Sequence, residues 1–148
     1  MTAIMPDEKH PLAINILRNA RDGFVELAAP SFLYIEANNV LLTAFRKKRI
    51  DQNAWLAYVN QLQLLPFHAD TISNEAVMQN KLALLASENG LSLYDALYLE
   101  LAIRRNIPLA TLDKTLSQAA KKHGLLYQPS GGVNEFVKQL TRHTADVK

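Results

Sequence analysis

Residues 92–113 read SLYDALYLELAIRRNIPLATLD. Apolar residues recur at helical spacing from Leu93 to Ile103, and Ser92 stands where an N-cap is needed. IPLATL, residues 107–112, is a short apolar run of strand length. The stretch therefore predicts a helix and then a strand, with Asp95 in the first helical turn and Asp113 just past the strand. In a right-handed strand–helix–strand unit the helix runs antiparallel to the strands, so its N-terminus lies above their carboxyl ends. The lengths agree: about 14 helical residues return the chain by ~21 Å, and about six strand residues bring it back by ~20 Å. Both aspartates are expected at one edge of a sheet.

Working outward, the same alternation repeats. Apolar residues at helical spacing from about Asp7 to Asp22 end at Gly23, a natural helix stop. FVELAAP, residues 24–30, is bounded by Gly23 and Pro30 and reads as a buried strand. SFLYIEANNVLLTAFRKKR, residues 31–49, reads as a long amphipathic helix. Asp51 is placed to cap DQNAWLAYVNQLQLL, PFHA at 66–69 is a short strand candidate, and Thr71 or Ser73 starts a helix that stops at Asn89-Gly90. DKTLSQAAKKHG, residues 113–124, is a further helix, and LLYQP after it is a candidate last strand. Strands alternating with helices predict the α/β class, with a small parallel sheet flanked by helices.

The chain has 148 residues, of which 49% are apolar, enough for one core, and the expectation is one domain. The absence of cysteine excludes disulfides and cysteine-bound metal sites and suits a reducing, cytoplasmic setting. MTAIMPDEKH has no basic end and no long apolar run, and nowhere do about 18 apolar residues follow one another. A soluble, unexported protein with no membrane partner is expected. A net charge of +2 does not by itself mark a nucleic-acid binder.

Function must therefore come from a site. Glu36 falls in the second turn of the helix after FVELAAP, which places it near the edge expected for Asp95 and Asp113, with Asn39 three residues on. Open α/β sheets bind ligands at that edge. Each acid also has a plainer explanation. Ser92-x-x-Asp95 fits a capping box with Asp in place of Glu, Asp113 is an N-cap for the next helix, and Glu36 suits a solvated helix position. Capping does not explain why three carboxylates should converge, since they would repel one another unless a cation sat among them.

PSFLYIEANNVL together with LSLYDALYLELAIRRNIPLATLDKTLSQAAKKHG resembles the PIN domain family, specifically the VapC-like ribonuclease toxins of toxin–antitoxin pairs. The resemblance runs from about Met1 to Leu126. Its Y-D-A-L-Y-L and A-T-L-D segments carry most of it, and E-x-x-N adds less. It implies a PIN-like parallel sheet whose acids bind Mg²⁺ or Mn²⁺ and cleave single-stranded regions of RNA. Glu36, Asp95 and Asp113 fall on three of the family's metal-binding, catalytic acids, while Asn39 and Thr111 fall on polar positions that support them. A small antitoxin and a second copy of the chain, as a homodimer, are the implied partners. The resemblance leaves the family's first strand and its terminal aspartate without a counterpart, because Asp7 and Glu8 match surface acids. The expected layout is an N-terminally truncated PIN-like domain over 1–128 and a tail with a short helix over 129–148.

Such chemistry needs oxygen ligands, because Mg²⁺ is hard and keeps several waters, so a few carboxylates and a substrate phosphate complete its shell. The histidines at 10, 68, 123 and 143 show no metal-ligand spacing, and no glycine-rich phosphate loop or G-x-S-x-G nucleophile is present. Lys47-Lys48-Arg49, Arg104-Arg105 and Lys121-Lys122 fall in last helical turns and read as solvated ends that favour the helix dipole. Lys138 and Arg142 in the tail stay open as RNA contacts. Tyr94, Tyr98 and Trp55 read as core or interface aromatics. Two rivals to the endoribonuclease toxin remain: a DNA-directed or structure-specific nuclease on the same site, and a catalytically degenerate PIN-like interaction module.

Overall fold

The computed structural model describes residues 10–72 and 75–127. The elements run α1 (Pro11–Arg21), β1 (Leu27–Pro30), α2 (Phe32–Arg46), α3 (Gln52–Gln63), β2 (Phe67–Asp70), α4 (Ala76–Asn89), α5 (Leu93–Arg105) and α6 (Lys114–Lys122). β1 and β2 pair in a small parallel two-stranded sheet, which makes the chain a mixed α/β protein as expected. The chain forms two compact units, Met1–His68 and Ala69–Lys148, with β2 at their junction. Asp7, Glu8, Ser73, Lys138, Arg142, His143 and the tail over 129–148 lie outside the described residues.

In the first unit, Pro11 opens α1 with its ring preset for a helix, and His10 caps it by accepting from the Leu12 N–H at 3.2 Å. Helices α2 and α3 pack around Ala37, Leu41, Ala44 and Leu62, with Trp55, Tyr58, Val59 and Leu65 against that group. Ala37, Leu41 and Ala44 recur at the four- and three-residue steps that put them on one side of α2. Phe45 stacks on Trp55 with ring centroids 4.7 Å apart.

In the second unit, α4 packs on α5 and α5 on α6. Leu99 and Ala102 of α5 meet Leu109 and, from α6, Leu116, Ala119 and Ala120. Leu82, Ala86 and Ala96 form a second cluster between α4 and α5. The sequence leads one to expect a continuous strand over Ile107–Leu112, yet among the described residues it forms a single parallel bridge, Leu109 to Leu126. Leu109 donates to Leu125 O at 2.7 Å and accepts from the Tyr127 N–H at 2.9 Å. Pro108 has no N–H to extend the ladder, and Thr111 turns its hydroxyl to the backbone ahead of Asp113. Leu126 is likewise the one bridging residue of the expected last strand within the described part.

Several helices end in the same way. After α2, α5 and α6 the next residues take left-handed backbone at Lys48, Asn106 and Gly124. The N–H groups of Arg49, Ile107 and Leu125 then reach back to Ala44, Ala102 and Ala120, closing the last turn. This stop ends α2 at Arg46 and places the Lys47–Arg49 stretch in the turn beyond it, where the sequence pattern had continued the helix.

Candidate functional site

Asp95 stands in the first turn of α5, and its surroundings are fixed by Ser92. The Ser92 hydroxyl oxygen accepts from the Asp95 N–H at 3.1 Å and its O–H donates to Asp95 Oδ2 at 3.0 Å. Ser92 therefore caps α5 as the sequence indicates, but Asp95 returns the contact to the Ser92 hydroxyl and not to the Ser92 backbone N–H that a capping box requires. Asp95 Oδ1 has no hydrogen-bond partner among the described residues. The side chain is half-buried at the head of a helix whose N–H groups favour negative charge.

Asp113 caps α6: its Oδ1 accepts from the Leu116 N–H at 2.8 Å. Thr111 Oγ1 accepts from the Asp113 N–H at 3.1 Å, so Thr111 supports Asp113 through the backbone. Asp113 Oδ2 has no partner among the described residues. Each aspartate thus spends one oxygen on the fold and offers the other. Glu36 and Asn39 are exposed on α2 in the first unit, away from the Ala37–Leu41–Ala44 stripe. Asp95, Thr111 and Asp113 belong to the second unit.

Residues 2–122 match the family model of the PIN domain. The chain belongs to the PIN domain family. No curated protein matches it. PIN domains are nucleases, commonly acting on RNA and commonly using divalent ions such as Mg²⁺, so this chain is read as a hydrolase that binds nucleic acid. No helix among the described residues is long and apolar enough to cross a membrane.

The donors suit such an ion in kind, since they are carboxylate oxygens with one lone oxygen each, and Mg²⁺ is often held by only one or two carboxylates together with phosphate and water. Among the described residues no group of three or more His, Cys, Asp or Glu side chains is placed to hold a metal ion. A metal in this PIN domain would therefore depend on water and substrate oxygens for much of its shell.

A further polar cluster was not anticipated. Arg104, expected as a solvated helix end, bonds Glu100 through Nε at 2.8 Å and Nη2 at 3.3 Å, and its Nη2 also bonds Asp70 at the end of β2. The Glu100 and Asp70 side chains are only 8% and 9% exposed, so the guanidinium neutralises carboxylates that water scarcely reaches. The hydrogen bond to Glu100 does most to raise the Arg104 pKa, against desolvation, with Asp70 adding to it. The Glu100-x-x-x-Arg104 spacing was a readable signal for half of this cluster. Arg105, one residue on, is exposed as expected.

Aromatic positions also divide. Tyr98 packs against the α5–α6 core and Trp55 against the first unit's core, both as the pattern indicates. Tyr94 does not: it is 57% exposed, directly before Asp95.

Proposed function

We propose that this chain is a metal-dependent endoribonuclease that hydrolyses RNA phosphodiester bonds, the toxin of a toxin–antitoxin pair. Glu36, Asp95 and Asp113 carry the metal and the catalysis, supported by Asn39 and Thr111, with Mg²⁺ or Mn²⁺ as the ion. The observation that carries this is a pair of aspartates at helix heads, each with one oxygen held by a cap and one unengaged, in a chain of the PIN domain family. When bound, a divalent ion supplies Lewis acidity and an activated water.

The chain's own contribution is position. The Ser92 hydroxyl keeps Asp95 in one rotamer, so that Oδ1 is presented without further loss of side-chain freedom. The Leu116 N–H does the same for the Asp113 side chain, while Thr111 holds the Asp113 backbone. A small antitoxin is the proposed inhibitor and a homodimer the proposed assembly, in the cytoplasm.

Digestion of matched single-stranded RNA and DNA with Mn²⁺ tests the proposal. RNA cleavage that disappears in Asp95→Asn and Asp113→Asn is the expected result. Cleavage of DNA in preference to RNA would assign the site to the rival nuclease, and a chain that neither binds Mn²⁺ nor cuts either strand would be an interaction module.

A further inference from the structure

Tyr94 and Tyr98 lie four residues apart on α5, spacing that puts them on neighbouring positions of one helix side. Tyr98 packs into the core beside Leu99, whereas Tyr94 is left 57% exposed. Leu93 is 54% exposed beside it, and Leu112, directly before Asp113, is 46% exposed. Single exposed apolar residues are common and decide nothing alone. What distinguishes these is their position, because exposed apolar side chains immediately precede both aspartates. A core role for Tyr94 is removed by its exposure, and the capped first turn holds its backbone in place.

We infer that Tyr94 is a substrate-contacting residue on which a nucleobase next to the scissile phosphate stacks, so that it sets the enzyme's grip on base-bearing single strands. This rests on the nuclease function proposed above. Adjacent Cα atoms are about 3.8 Å apart and helical neighbours point about 100° away from each other. A strand whose phosphate is held at Asp95 therefore runs next to the residue that carries the Tyr94 ring. Unpaired bases offer their faces to such a ring, whereas the faces of paired bases are covered by their neighbours. Charge adds a second reason. The chain carries a net charge of only +2, so attraction for the sugar-phosphate backbone beyond the metal is weak and base stacking has more of the binding to supply.

The test is binding of oligoadenylate RNA and of an abasic sugar-phosphate strand of equal length, read by fluorescence anisotropy. Ca²⁺ replaces Mn²⁺, and sedimentation is run on the same samples. Tyr94→Ala should weaken oligoadenylate binding roughly five- to tenfold and leave the abasic strand unchanged. Tyr94→Phe should keep wild-type affinity and Tyr94→Leu should lose most of it, which separates stacking from simple apolar contact. Equal affinity of the wild type for both strands would overturn the inference, as would a loss in Tyr94→Ala that is the same for both. So would a changed oligomeric state in Tyr94→Ala with RNA affinity intact, since Tyr94 would then be a subunit contact. Tyr94-dependent binding by a chain that cuts no RNA with Mn²⁺ would uphold the stacking role and refute the nuclease.

Discussion

Replacing Asp113 by asparagine separates its two roles, because the cap and the metal ligand make different demands on the same side chain. The cap needs only an oxygen that accepts from the Leu116 N–H, now 2.8 Å away, and asparagine serves there about as well as aspartate. What Asp113→Asn loses without metal is the interaction of a charge with the head of a nine-residue helix. Asp113 is exposed, so that loss belongs at the low end of the range, about 0.3–0.5 kcal/mol. Asp113→Ala removes the hydrogen bond too and should cost about 1 kcal/mol. The metal role behaves otherwise. If Mn²⁺ is added at about 100 times its dissociation constant, the wild type should gain about 2.7 kcal/mol. For a chain of this size that corresponds to roughly 8 °C in Tm. An amide is a far poorer ligand than a carboxylate, so Asp113→Asn should lose most of this gain while melting within about 2 °C of wild type in chelator. Thermal melts with EDTA and with Mn²⁺ read both quantities from one protein. A full Mn²⁺ shift in Asp113→Asn, alongside the expected loss in Asp113→Ala, would refute the metal role and leave Asp113 as a cap alone.

Further outcomes follow from the second unit. Arg104→Met should destabilise the fold by about 3–5 kcal/mol in urea titrations at neutral pH, because it strands Glu100 and Asp70 as nearly buried, unneutralised carboxylates. Much of that loss should be recovered in the triple variant that also carries Glu100→Gln and Asp70→Asn, and no recovery would show that the arginine acts through packing. Leu99→Ala should cost about 2–5 kcal/mol, since Leu99 is fully buried between α5 and α6, whereas Leu84→Ala, at 64% exposure, should be close to neutral. Burial pushes the Tyr127 hydroxyl up to about 12. The folded pKa lies above the ordinary value near 10, so its contribution is complete below pH 10 and is lost as the pH rises toward 12. Tyr127→Phe should therefore flatten the fall in stability across that window, and an unchanged slope in alkaline urea melts would assign the fall to other groups.

Local physics made much of this protein legible from its sequence. Helical periodicity located all six described helices, and Ser92, Asp51 and Asp113 marked helix starts correctly because an N-cap is a contact over two or three residues. The positions of Asp95 and Asp113 at helix heads follow from the same short-range rules. Where the sequence misled, a distant group intervened or a ladder lacked a partner. IPLATL has a strand's composition, but Pro108 withholds a donor, and among the described residues the run forms one bridge, from Leu109 to Leu126. Arg104 looked like a helix end because its helical context is local, while the Asp70 that captures it lies 34 residues earlier. Tyr94 and Tyr98 share a spacing that cannot tell which one faces the core. Only tertiary packing decided that Tyr98 is the more covered and Tyr94 the more exposed. Caps and periods depend on neighbours along the chain, whereas burial and ion pairing depend on neighbours in space, and those exist only once the helices have packed.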